Sequence, residues 1–72
     1  MIMFTEDYID YLEKVVYKDR PELVSALKLH NKLLNELCFK LLDKDTDKDV
    51  ILRLAEELET NAKNIRRLIR KL

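Results

Sequence analysis

The sequence predicts an all-α protein built as a three-helix unit, with a short helix 1 and two long antiparallel helices 2 and 3. The chain of 72 residues contains no glycine and one proline, so it lacks the residues that favour tight turns and sheet corners. Leucine, lysine, glutamate and aspartate are abundant, a composition typical of helices. Apolar residues recur every three or four positions along most of the chain, which is the spacing of one helix face.

The length of the chain limits how the fold is stabilised. We expect residues 1–72 to form a single domain. A chain of this size buries only about 60% of the surface that its unfolded form exposes. Cys38 is the single cysteine, so the chain cannot form an internal disulfide. One cysteine and one histidine are also too few ligands for a structural metal site. Close helix packing and self-association remain as sources of stability.

The composition also indicates where the protein works. The first residues, Met1 to Asp7, lack the basic and long apolar segments of a signal peptide. No apolar run approaches the ~20 residues of a membrane span. A lone free cysteine fits a reducing compartment. We therefore expect a cytoplasmic protein that does not contact a membrane.

Helix 1 is predicted to begin at Thr5, which is a favourable N-cap, and to end before Pro21. Phe4 and Ile9 have the spacing of a hydrophobic staple. Helix 2 should follow at once, with Asp19 as its acidic N-cap and proline in its first turn. The apolar stripe of helix 2 consists of Leu23, Ala26, Leu27, Leu33, Leu34, Leu37, Cys38 and Leu41.

The polar segment 43–49 is predicted to be the one loop of any length, with Thr46 or Asp47 capping helix 3. Residues 45–56 place acids at positions 1, 3, 5 and 12 of an EF-hand calcium loop. Val50 stands where that loop needs glycine, because the backbone there turns with positive φ. We expect a solvated, capping linker rather than a calcium site.

Helix 3 is predicted to run from about Lys48 to the C-terminus. Its apolar residues have alternating spacings of four and three over three heptads, which is the pattern of a coiled-coil seam. Leu54 and Leu68 widen the seam on one side, and its small residues would allow a neighbouring helix to approach closely. The seam consists of Ile51, Ala55, Leu58, Ala62, Ile65, Ile69 and Leu72.

The predicted helix lengths leave part of the apolar surface uncovered. Helix 1 spans roughly 20 Å and the two long helices roughly 35–40 Å each. Helix 1 should therefore cover about half of the groove between them, and the rest should meet a second copy or another protein. Phe39 and Tyr17 fall on polar faces and are candidate exposed anchors. The residues expected to bind the partner are Leu27, Leu34, Leu37, Phe39, Leu41, Ile65 and Ile69.

Two residues of helix 2 have a chemical as well as a structural interpretation. His30 could act as a phosphotransfer residue or a pH switch, but it stands between leucines, so a core or interface histidine bonded to Tyr8 or Tyr11 is favoured. Cys38 lies mid-helix among leucines, away from the cations or helix N-terminus that would activate a thiol. The two are eight residues apart, about 12 Å, and do not form a nucleophile–base pair.

The net charge is zero, yet the charges are unevenly distributed. Residues 1–22 are acidic on balance, and residues 50–72 are basic on balance. In an up-down-up bundle, the start of helix 1 and the loop 43–49 share an acidic end. Two copies should then attract one another in antiparallel register, with an association that salt weakens.

The sequence contains no catalytic set and no glycine-rich phosphate loop, so we expect neither an enzyme nor a bound cofactor. We recognise no motif of a known family. The favoured function is a helical protein-interaction module, a homodimeric regulator, adaptor or inhibitor of a larger protein. The alternative is nucleic-acid binding through the basic end of helix 3. The basic residues concerned are Lys63, Arg66, Arg67, Arg70 and Lys71.

Overall fold

The structure, a computed structural model, describes residues 6–72, which form three helices with no strand in that range. Helix α1 covers Glu6–Tyr11 and continues into a π-helical turn over Leu12–Val16. Helices α2 and α3 cover Pro21–Leu42 and Lys48–Arg70. The all-α class and the start of the third helix are confirmed. Thr5 and Phe4, the predicted cap and staple of helix 1, lie outside the described residues.

The π-helical turn changes where helix 1 directs its last aromatic residue. The Tyr17 N–H donates to the Leu12 carbonyl at 2.7 Å, a bond that spans five residues instead of four. One extra residue in a turn rotates the downstream residues by about 100°. Tyr17 is consequently half-buried against a core cluster that includes Leu23 and Leu68. The prediction of an exposed Tyr17 anchor was therefore wrong.

Helix α2 begins without a side-chain cap. Arg20 occupies the N-cap position in a non-helical conformation, and Pro21 opens the first turn. The predicted cap, Asp19, stands one position too early. A residue that precedes proline is disfavoured in the α conformation, which makes Arg20 the boundary residue.

The connection between α2 and α3 is made without glycine and, in the described range, without any residue at positive φ. Asp43 leaves α2 in an extended conformation, and its Oδ1 accepts a hydrogen bond of 3.0 Å from the Asp45 N–H. Asp47 then caps α3, because its Oδ1 accepts from the Asp49 N–H at 3.0 Å. Asp47 was one of the two predicted caps. Asp49 lies inside α3, so it is not placed as a calcium-loop ligand.

Helices α2 and α3 pack together as antiparallel neighbours. The Asn61 side-chain amide donates to the Ala26 carbonyl at 3.0 Å, and Leu68 lies with Leu23 in one buried cluster. Because position 61 meets 26 while position 68 meets 23, the numbering of the two helices runs in opposite directions. This confirms the predicted pair of long helices.

The face that α3 turns towards α2 differs from the predicted seam. Leu54, Asn61 and Leu68, one heptad apart, are the buried residues of α3. Ala55 and Ile69, which belong to the predicted seam, are exposed. Burying leucine removes more apolar area from water than burying alanine, and this favours the observed rotation of α3. The residues expected to flank the seam are in fact its centre.

Helix α1 packs on α2 alone and makes no contact with α3 within the described residues. Ile9 and Val24 are both buried, and Lys28 Nζ lies 2.9 Å from Glu13 Oε2. This ion pair fastens the end of the α1 segment to one flank of α2. The prediction that helix 1 covers half of the groove between the long helices was therefore wrong. Ile9 is instead buried on the flank of α2, where it lines a cleft with Lys28 and Phe39.

The resulting molecule is elongated. Its dimensions are 43 × 24 × 16 Å, and its radius of gyration is 13.7 Å. A compact domain of 72 residues has a radius of gyration of about 11 Å. A thin slab of this kind has little interior, which explains why many large apolar side chains remain at the surface.

Candidate interaction surfaces

One side of the α2–α3 hairpin carries apolar residues from both helices. Leu27, Leu34 and Leu41 are one heptad apart on α2 and share a face. On α3 the predicted seam continues past the buried stripe onto the same side. We call this surface the open face. It comprises Leu27, Leu34, Leu37, Cys38 and Leu41 of α2, and Ile51, Ala55, Leu58, Ala62, Ile65 and Ile69 of α3.

The open face ranges from half-buried to well exposed. Leu41 and Ile69 keep 57% and 50% of their surface accessible. Leu27 and Ile65 are half-buried, because they pack at the edge of the Leu23 cluster. The middle of the open face is therefore partly buried, and its edges are apolar and exposed. Among the described residues, α1 does not cover the part of the open face that belongs to α3.

Six of the seven predicted partner-binding residues lie on this face, and Phe39 does not. Phe39 lies on the flank of α2 that carries α1, where it is 74% exposed. It lines a cleft of about 520 Å³ together with Ile9, Asp10 and Lys32. Phe39 therefore belongs to a separate surface, since its helical position is far around α2 from Leu34 and Leu41.

His30 and Cys38 lie near the α2 side of the open face, and both are half-buried. The His30 Nδ1 atom is buried and has no hydrogen-bond partner within the described chain. The predicted bond from Tyr8 or Tyr11 is thus not made to this nitrogen. Cys38 is a free thiol.

The opposite side of the hairpin is mainly polar. A shallow cleft there is lined by Leu29 and Leu33 of α2 and by Arg53, Glu57 and Asn64 among other residues of α3. Charged side chains line this cleft, whereas none of the open-face residues is charged. The two sides of the same hairpin thus differ in chemistry.

The basic residues of α3 are solvent-exposed at one end of the molecule. Lys63 pairs loosely with Glu59 at 3.7 Å, and Arg67 donates to the Asn64 side-chain oxygen at 2.7 Å. The start of α2 lies at this same end, since the helices are antiparallel. The aspartate-rich loop 43–49 lies at the other end.

One ion pair joins the π-helical turn to α2, between Glu13 and Lys28. The hydrogen bond to Glu13 raises the pKa of Lys28 above its ordinary value of 10.5. Both side chains are nearly half exposed, so solvent screens much of their attraction. The pair orients α1 more than it stabilises the fold.

Asn61 is a structural residue that the sequence analysis missed. It is buried between α2 and α3 and bonds to the Ala26 carbonyl. Its position midway between Leu54 and Leu68 in a heptad was the available signal. A single polar residue within an apolar seam commonly sets the register of two helices.

Among residues 6–72, no group of three or more histidine, cysteine, aspartate or glutamate side chains is arranged to hold a metal ion. In the same range no helix combines the length and apolar character needed to cross a membrane. The chain matches no family model, no curated protein and no solved structure. The open face, the Phe39 cleft and the basic end are therefore the features on which a function is argued.

Proposed function

We propose that this chain is a small, non-enzymatic, cytoplasmic protein-interaction module that works through the open face, most simply as a homodimer. The observation that carries the proposal is the apolar character of the open face along the length of the hairpin. Contiguous exposed apolar patches on small domains often mark sites of protein interaction. A regulator, adaptor or inhibitor of a larger protein is consistent with this size.

The geometry of the hairpin supports the same proposal. Two antiparallel helices with one apolar side form half of a four-helix bundle. A second hairpin laid on the open face would bury Leu41 and Ile69 and complete a core that one chain is too thin to form. Charged residues on the opposite side would keep the assembly in solution.

The test compares two matched substitutions on α3. Ile69→Lys places a charge on the open face, while Leu52→Lys places one at a similarly exposed site about 100° around the helix. We expect sedimentation equilibrium to show a dimer for the wild type and for Leu52→Lys, and a monomer for Ile69→Lys. Circular dichroism should show that all three are equally helical.

Association that is equally strong in Ile69→Lys and Leu52→Lys would remove the open face as the interface. A wild-type chain that stays monomeric at high micromolar concentration would remove the homodimer.

Nucleic-acid binding is the second candidate, and one observation favours it. The C-terminal end of α3 carries five exposed basic side chains and no acidic one between residues 63 and 71. Such a cluster can neutralise backbone phosphates. Against it stands the N-terminus of α3, which opens with Asp47 and Asp49 and would repel a nucleic-acid backbone.

The two candidates separate by substitution at the basic end. Changing Lys63, Arg67 and Arg70 to glutamine should abolish retention of a labelled duplex if phosphate contacts are the function. The same triple variant should keep its apolar interface if the first proposal holds. Filter binding at low salt, with sedimentation of the same samples, measures both.

A further inference from the structure

We infer that the occupant of the open face is a second copy of this chain in antiparallel orientation, the basic end of each copy lying over the aspartate loop of the other. This inference rests on the proposed function and specifies the partner of the same surface. It is carried by the placement of charge along the hairpin and by the surface that the single chain leaves exposed.

The two ends of the hairpin have opposite charge. Residues 63–71 carry five bases and no acid, while residues 43–49 carry four aspartates and two lysines. The segment before and at the start of α2 adds no net charge, because Lys14, Lys18 and Arg20 are balanced by Glu13, Asp19 and Glu22. The molecule is 43 Å long, several times the screening length of about 8 Å in physiological salt. The charges at each end of one copy therefore interact only with the charges at the adjacent end of the partner copy.

This limited range decides between the two face-to-face orientations. A parallel pair would place the five bases of one chain beside the five bases of its partner, and the aspartates beside aspartates. An antiparallel pair forms two opposite-charge contacts, because two-fold symmetry repeats each contact. Apolar packing supplies the attraction in both cases, so charge selects the orientation.

The exposed surface is of the right size for such a partner. The chain exposes 5861 Å², whereas a compact monomer of 8.7 kDa exposes roughly 4,700 Å². The surplus over a compact monomer is roughly 1,100 Å², and a standard interface takes about 800 Å² from each partner. The surplus is thus large enough to supply one chain's share of a standard interface with a second copy.

The antiparallel pair has a definite register on α3. Leu58 lies close to the midpoint of α3, and Ile51 and Ile65 stand seven residues to either side of it on the open face. A two-fold axis near Leu58 brings Ile51 of one copy opposite Ile65 of the other. The two Ile51 positions are then separated by about 21 Å along the helix axis.

Site-specific crosslinking tests this register. Ile51→Cys and Ile65→Cys are made separately in the full chain carrying Cys38→Ala, and then mixed and treated with a short bis-maleimide. We expect the mixed crosslink to predominate over crosslinks between like positions. We also expect the dissociation constant of the dimer to increase about tenfold between low and high salt, since surface ion pairs are screened.

The outcomes distinguish the inference from the function on which it rests. A chain that sediments as a dimer but joins position 51 to position 51, or forms neither crosslink, overturns the antiparallel register and leaves the interaction module standing. A dimer whose stability is unchanged by salt also overturns the inference, because charge would then not select the orientation. A chain that is monomeric throughout overturns the inference and removes the homodimer from the proposed function, which leaves the open face to a different protein.

Discussion

Helix α3 carries two apolar stripes of similar composition that have different roles in the structure. The inner stripe, centred on Leu54 and Leu68, is buried against α2. The outer stripe includes Ala55 and Ile69 and remains exposed on the open face. Neighbouring residues 68 and 69 thus belong to different environments, although both are aliphatic and occupy the same helical turn.

The difference shows that sequence periodicity determines where the apolar residues lie on α3, whereas packing determines which of them are buried. Periodicity places apolar residues on a wide arc of α3, and one neighbouring helix covers only part of such an arc. Which part is covered depends on the total area buried and on polar contacts such as the Asn61 bond to Ala26. The uncovered part becomes available for association.

The largest expected effect separates the stripes by stability. Leu68→Ala should lower the free energy of unfolding by about 2–5 kcal/mol, because it leaves a cavity in the buried cluster. Ile69→Ala should cost about 1 kcal/mol or less at concentrations where the chain is monomeric, since half of this side chain is already exposed. Urea denaturation followed by circular dichroism measures both. Equal losses would contradict the assignment of residues 68 and 69 to different stripes.

A smaller effect is expected within the inner stripe. Asn61→Ala should lower the free energy of unfolding by about 1–2 kcal/mol, because a buried hydrogen bond is lost. Asn64→Ala is the matched control, with the same gain in helix propensity and the loss of only an exposed bond to Arg67. If Asn64→Ala destabilises the chain as much as Asn61→Ala, the buried bond does not hold α3 in register.

The third prediction tests whether the Phe39 surface is separate from the open face. Leu34→Ala should weaken self-association several-fold, since Leu34 lies on the open face. Phe39→Ala should leave the sedimentation profile unchanged, because Phe39 lines the cleft beside α1. A monomer produced by Phe39→Ala would show that the cleft, and not the hairpin side, is the interface.

The smallest effect concerns the ion pair that attaches α1. Glu13→Gln removes the acceptor that raises the pKa of Lys28, so the melting temperature should fall slightly at neutral pH. A raised pKa stabilises the fold below 10.5, and this contribution disappears as the pH rises through the folded-state value. The difference between wild type and Glu13→Gln should therefore vanish in strongly alkaline solution. A difference that persists there must come from packing.

Much of the fold follows from sequence rules that act over a single turn. The absence of glycine, the position of Pro21 and the cap at Asp47 predicted the two long helices and the loop between them. Six of the seven predicted partner residues lie together on the open face, because heptad spacing alone places them on one side of their helices. These features depend on neighbours within a few positions in the chain.

The rest depended on contacts between helices, which periodicity does not specify. The π-helical turn at Leu12–Val16 turned Tyr17 towards the core, and Ile9 became buried on the flank of α2, away from the groove. Phe39 is exposed on the polar side of α2, as predicted, but the cleft that it lines with Ile9 depends on where α1 docks and was not predicted.

By itself, the sequence determined the helices, their apolar stripes and the opposite charge of the two chain halves, since these are properties of local spacing and composition. The tertiary structure decided which stripe of α3 is buried and where α1 docks. Both choices depend on comparing the areas buried in alternative packings, and a stripe wider than one neighbouring helix allows more than one such packing.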